Sequence, residues 1–151
     1  MREILFRGKR VANGDWKEGS YVHQYCCHLI YLPNGVDSEH GFDYYHVIPE
    51  TVGQFTGLTD KNGKKIFEGD IVEVTIVRDI CDSEDVKIET GAIEYDKIGM
   101  IGLIMEYYDD VPIWSDVFQE LELSDCINDF WFEVIGNIHD NPELLRKEGD
   151  I

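Results

Sequence analysis

The clearest pattern of apolar and polar positions lies at Ile71–Val77. There Val72, Val74 and Ile76 share one strand face, and Glu73 and Thr75 look the other way. Gly69-Asp70 punctuates the entry to this strand, and Asn62-Gly63 before it is the dipeptide of a two-residue type I′ hairpin turn with both φ positive. Residues 3–10 and 16–25 flank a second such signal, Asn13-Gly14, with Ile4 and Phe6 alternating with Leu5 and Arg7. Trp16, Tyr21 and Tyr25 add the aromatic residues that sheets favour. Residues 26–32 continue that strand or open another, ended by Pro33-Asn34-Gly35. Residues 36–45 are polar and turn-rich, and residues 46–55 resume extended character, with Pro49 permitting an edge strand only.

Further on, residues 78–87 are acidic and read as a loop. Ile88–Asp96 and Gly99–Tyr108 read as strands around a turn, with Gly91 marking a bulge or bend. Residues 112–127 fit two patterns. Ile113, Trp114, Val117, Phe118 and Leu121 suit a helix face, and Val117, Gln119, Leu121 and Leu123 suit a strand; a helical turn followed by a strand is the expectation. Trp131–Ile138 is an apolar run of strand length. Asn141-Pro142 marks a short C-terminal helix, with Glu143 in its first turn, Leu144 and Leu145 to pack it and Gly149 to end it.

Strands at short spacing with one terminal helix predict an all-β protein, a barrel or a sandwich. The expected division is an N-terminal β-hairpin subdomain at residues 1–45 and a small barrel at 46–151, together one compact unit. The barrel strands are Ile66–Val77, Ile88–Asp96, Gly99–Tyr108 and Trp131–Ile138.

Composition supports a folded core: 43% of the 151 residues are hydrophobic, which places the chain outside the disordered class. No apolar run approaches the roughly 20 residues that span a bilayer, and the N-terminus lacks the apolar stretch of a signal peptide. A soluble, cytoplasmic protein, with no membrane partner and four reduced thiols, is therefore expected. The net charge of −18 is concentrated in residues 79–133, where 16 acids face only Lys87 and Lys97. That segment repels a phosphate backbone, so nucleic acid is not an expected partner.

Several constellations were weighed for chemistry. His23, Cys26, Cys27 and His28 have zinc-ligand side chains but not the two-to-four-residue cysteine spacing of a structural site, and His40 or His46 does not improve the set. The four cysteines and five histidines have no local signature of a nucleophile, and the plentiful acids lack the pattern of a calcium loop. Gly53, Gly57, Gly63 and Gly69 are turn glycines rather than a phosphate-cradling loop. The expectation is no catalytic, metal-binding or cofactor-binding residue and no cofactor. Ligand-binding residues are not defined by the sequence.

Two non-enzymatic alternatives follow from charge. Arg2, Arg7, Lys9 and Arg10, with Lys61, Lys64 and Lys65, would form a basic strip beside Phe6, Trp16 and Tyr21, as in small nucleic-acid-binding barrels. Alternatively, the acidic block would imitate DNA and occupy the groove of a DNA-binding protein.

The blocks TVGQFTGLTDKNGKKIFEGDIV (residues 51–72) and EVIGNIHDNPELL (residues 133–145), with the opening EILFRGKR and NGDWKEGSYV, resemble the YopX family of phage and prophage proteins. Residues 79–129 match only loosely, through GAIEYD, and the acidic block has no counterpart. The resemblance implies an all-β protein with an SH3-like barrel in its second part and a tendency to self-associate. It implies no reaction, cofactor or catalytic residue. The expected function is that of a non-enzymatic accessory protein acting through protein–protein interaction. Its expected partners are further copies of itself and a host or phage protein, with the N-terminal hairpin's strand edge as the assembly element.

Overall fold

A computed structural model describes residues 3–33, 43–80, 83–95, 101–108, 111–115 and 127–145. The chain is mainly β, with two antiparallel sheets, and divides into two compact units, Met1–Gly57 and Leu58–Ile151.

The first unit contains β1 (Phe6–Lys9), β2 (Trp16–Gln24), β3 (Cys27–Tyr31), β4 (Tyr44–His46) and most of β5 (Gly53–Thr59), in the order β4-β3-β2-β1-β5. β4 and β5 are part of this sheet, so the expected division between residues 45 and 46 falls inside the unit. β1 is flanked on both sides, by β2 from Phe6↔Gly19 to Lys9↔Trp16 and by β5 at Phe6↔Gln54, so its edges are not open. The end of β4 returns to the end of β1. Val11 N–H donates to His46 O at 3.0 Å, Ile48 N–H donates to Lys9 O at 2.8 Å, and Arg10 bridges Val47. Leu5, Leu29, Ile30, Tyr45, Val47 and Phe55 form the buried apolar positions. Gly19 is required by close approach: a Cβ there would stand 1.9 Å from Tyr31 O.

Between β1 and β2, Asn13 does not take a positive φ; Gly14 alone does, at 76°. Asn13 Oδ1 instead accepts the Asp15 N–H. The turn at Asn62-Gly63 departs from type I′ in the same way, with Gly63 alone at φ 80°. Gly63 N–H donates to Asp60 O and Asp60 N–H donates to Lys64 O, the signature of a type I turn closed by a left-handed glycine.

The second unit holds β6 (Lys65–Phe67), β7 (Asp70–Ile80), β8 (Ser83–Tyr95), β9 (Ile101–Tyr108), β10 (Val111–Ser115) and β11 (Ile127–Asn137). Five of them form the sheet β10-β9-β8-β7-β11. Residues 78–87, expected as a loop, are mostly strand: β7 and β8 pair in unbroken register from Ile71↔Ala92 to Ile80↔Ser83. The acidic side chains there are tolerated because they lie along solvent-exposed strand, Asp79, Glu84 and Asp85 all being exposed. Residues 111–115 pair with β9 and are strand, not the helical turn expected from Pro112 onward. Residues 116–126, where that helical turn and its following strand were also expected, lie outside the described residues, as does Gly149. Among the described residues the five-stranded sheet is open rather than a closed barrel.

One face of this sheet carries the core. Val72, Val74 and Ile76 pack with Ile66 and Ile93, and Phe132 and Val134 of β11 lie against them. Of the expected terminal helix, residues 146–149 lie outside the described residues, and Pro142–Leu145 forms a 3₁₀ turn. It seats against Gly136, where a Cβ would meet Asn141 Oδ1 at 2.7 Å and Leu144 Cδ1 at 2.9 Å. Asn141 Oδ1 accepts the Asn137 N–H at 3.3 Å.

Asp60 ties the turn before β6 to β11. Its Oδ1 accepts N–H groups of Asn62 and Lys64, each at 2.9 Å, and its Oδ2 accepts the Val134 N–H at 3.1 Å. Lys61 N–H adds a bond to Phe132 O at 2.8 Å. Burial works against ionisation of this carboxyl. The backbone N–H groups of Val134, Lys64 and Asn62, with the Lys64 charge, outweigh it and hold the pKa below the ordinary aspartate value. A lowered folded pKa means that the carboxylate stabilises the fold fully above its unfolded pKa of about 3.9, and that this contribution is lost as pH falls through the folded value. Asp60→Asn would place an amide donor against the Val134 N–H. It is expected to cost about 2–3 kcal/mol in urea unfolding at pH 7. Below about pH 4 the stability gap between the two proteins should narrow.

Candidate functional site

The residues that sequence chemistry singles out in the first unit sit on β2, β3 and the turn between them. Tyr25 occupies that turn at φ 55°, a left-handed conformation rare for a tyrosine, and its side chain is 91% exposed. The strand register sets His23 opposite His28, and their rings stack with centroids 4.1 Å apart. Tyr21 lies on the same face and shares a hydrogen bond of 2.5 Å between its hydroxyl and His28 Nδ1. Phe6 continues the row, 5.8 Å from the Tyr21 ring. The result is an aromatic ladder, Phe6–Tyr21–His28–His23, rather than a ligand cage. Among the described residues no three His, Cys, Asp or Glu side chains converge as a metal site. His40 lies outside the described residues.

Cys26 is exposed and Cys27 half-buried. The neighbouring Cys26 thiol, first by hydrogen bonding and then by its charge, pushes the Cys27 thiol above its ordinary pKa, with a smaller contribution from desolvation. The effect disfavours the thiolate, opposite to what a nucleophilic cysteine needs.

The basic residues are engaged with aromatic rings. The Arg7 guanidinium lies 4.7 Å from the Trp16 ring centroid, and Arg7 is buried. Arg10 lies 4.4 Å and the Lys17 ammonium 4.8 Å from the Tyr45 ring. These cation–π contacts hold the charges against the sheet. Of the residues of the expected strip, Arg7, Lys9 and Arg10 belong to the first unit, and Lys61, Lys64 and Lys65 to the second. Lys61 pairs with Glu133 at 2.9 Å. Arg2 lies outside the described residues.

What the sequence does not reveal is a concavity of about 470 Å³ lined by Arg10, Val11, Ala12, Tyr44, Tyr45 and His46. It forms because the end of β4 turns back onto the turn after β1. Val11 and Tyr44 are 62% and 40% exposed, large apolar groups left uncovered at its rim. Tyr44 and His46 meet edge to face at 6.0 Å, and Tyr31 lies 5.3 Å from Tyr44. The available signal was the pair Tyr44-Tyr45 within a segment read as polar and turn-rich.

Comparison with known protein families matches the chain to the YopX protein family over residues 21–146. The chain belongs to the YopX family. The match includes Tyr21, His23 and His28 of the aromatic ladder, the Asp60 turn and the 3₁₀ turn after β11. Among solved structures, the crystal structure of protein EF1440 from Enterococcus faecalis is similar, at 24% identity over 97% of this chain and 100% of that one, with a TM-score of 0.43. No curated protein matches the chain. Among the described residues, no helix is long and apolar enough to cross a membrane.

The Cys26–Cys27 arrangement makes a direct prediction. In short alkylation at pH 7.5 read by peptide mass mapping, Cys27 should react slowly. Cys26→Ala should speed Cys27 alkylation several-fold, by removing the neighbouring thiol that raises its pKa.

Proposed function

We propose that this YopX-family chain is a phage or prophage accessory protein of the host cytoplasm. It works by binding another protein, after assembling with copies of itself, and carries out no reaction of its own. The observation that carries this reading is the concavity beside β4. Exposed Tyr44 and Val11 with Arg10 and His46 form a mainly apolar surface that carries the tyrosine and arginine protein interfaces favour. Its ionisable side chains are engaged with rings, Arg10 over Tyr45 and His46 edge to face with Tyr44. The phage setting and self-association come from the family resemblance. So does an SH3-like barrel for the second unit, which would need strand pairing beyond that of the described residues.

Affinity purification of the tagged chain from an infected or lysogenic host should return a discrete partner. Tyr44→Ala with Val11→Asp should reduce its recovery at least about tenfold, as truncation of a central aromatic contact does. Recovery unchanged by both substitutions would remove the concavity as the binding surface. Size-exclusion chromatography with light scattering should show an oligomer, and a monodisperse monomer at micromolar concentration would end the self-assembly reading.

A further inference from the structure

Among the described residues of the second unit, β8 carries a stretch of strand edge with no paired neighbour. It pairs with β7 along its length, but with β9 only from Ala92 to Tyr95. From Asp85 to Gly91 no strand occupies the other edge among the described residues. Backbone groups on such an edge are a template for another strand. Val86 and Ile88, on one face of this stretch, are 52% and 59% exposed. On the opposite face lie Asp85, Lys87 and Glu89. Lys87 pairs with Glu89 Oε1, and Glu89 Oε2 is buried with no hydrogen-bond partner among the described residues.

We propose that this edge pairs with the same edge of a second copy, antiparallel, about a two-fold axis through Ile88. The proposal rests on the self-assembly reading above and names its surface. A two-fold axis normal to the sheet keeps each face continuous, so a residue can oppose only residues of its own face. Centred on Ile88, the register sets Ile88 against Ile88, Val86 against Thr90, and Lys87 against Glu89 twice. Each Glu89 then stands opposite an ammonium of the other copy, beside that of its own Lys87. Moving the axis to Lys87 would oppose Lys87 to Lys87 and Asp85 to Glu89, both like-charged. Moving it to Val86 would oppose Lys87 to Asp85 and leave Glu89 opposite Ser83. The charge pattern therefore favours the second copy as the occupant and the Ile88-centred register.

The test is charge exchange read by light scattering and native mass spectrometry on the full chain. Lys87→Glu and Glu89→Lys each turn both cross-copy pairs repulsive and should each weaken self-association about tenfold, as opposed like charges do on a sheet. Mixing the two variants should restore association as a heterodimer, because glutamates at 87 and 89 then face lysines at 87 and 89. An intramolecular role for the Lys87–Glu89 pair cannot give that restoration, since each chain still carries its own like-charged pair. Circular dichroism and urea unfolding of each variant establish that the monomer folds; if a single variant does not fold, Ile88→Lys, which opposes two ammonium groups on the axis, takes its place and should weaken association as strongly. Association that persists in both single variants, or a mixture that stays unassociated, overturns the β8 edge and leaves the self-assembly reading standing. A wild-type chain that is monomeric overturns both.

Discussion

The second unit depends on one carboxylate. Asp60 closes its own turn through Asn62 and Lys64 and reaches, 74 residues along the chain, to Val134 of β11. Among the described residues, β11 otherwise pairs with the sheet only through β7. The Asp60 and Lys61 bonds fix β11 from its other edge, and this holds Phe132 and Val134 over Val72, Val74 and Ile76. A buried carboxylate is costly unless its lone pairs are filled, and here three backbone donors fill them. The residues 57–72 that look most like a ligand loop, dense in glycine, lysine and aspartate, are thus explained by architecture. Gly57, Gly63 and Gly69 all take positive φ, and Asp70 Oδ2 accepts the Phe67 N–H at 2.8 Å.

Local signals in the sequence were legible where the physics is local. The alternation at Val72, Val74 and Ile76 gives the core face of β7, and all three are fully buried. Asn13-Gly14 and Asn62-Gly63 mark real turns, but not of type I′. The dipeptide fits type I′ in isolation, whereas the side chains of Asp60 and Asn13, bonding to backbone N–H groups two residues on, favour another turn in which glycine alone is left-handed. Residues 78–87 were hidden because polarity is a weak argument against a strand whose neighbours on one side are solvent. The terminal turn at Asn141-Pro142 has the start signal of a helix. Its asparagine accepts the Asn137 N–H instead, and Pro142–Leu145, seated against Gly136, takes the tighter 3₁₀ form.

The candidate surface was less legible than the fold. Tyr44, Tyr45 and His46 acquire meaning only when the end of β4 meets Arg10 and Val11, a contact between segments more than 30 residues apart. Conversely, the residues with the most suggestive chemistry, His23, Cys26, Cys27 and His28, are placed by a hairpin whose register stacks the two imidazoles and whose turn exposes Cys26. Residue type proposed chemistry there, and strand register decided against convergence.

Charge in this protein is better understood strand by strand than as a total. An open strand edge is ordinarily protected by a charge that any incoming strand would have to bury. A run of one sign along β8 would give that protection against every partner, a second copy included. The described edge instead alternates, Asp85, Lys87, Glu89, on a single face. Such alternation repels a register in which like meets like and accepts one in which Lys87 meets Glu89, so it selects among partners instead of refusing them all. The same acidic hairpin that keeps β8 solvated can in this way make its pairing specific.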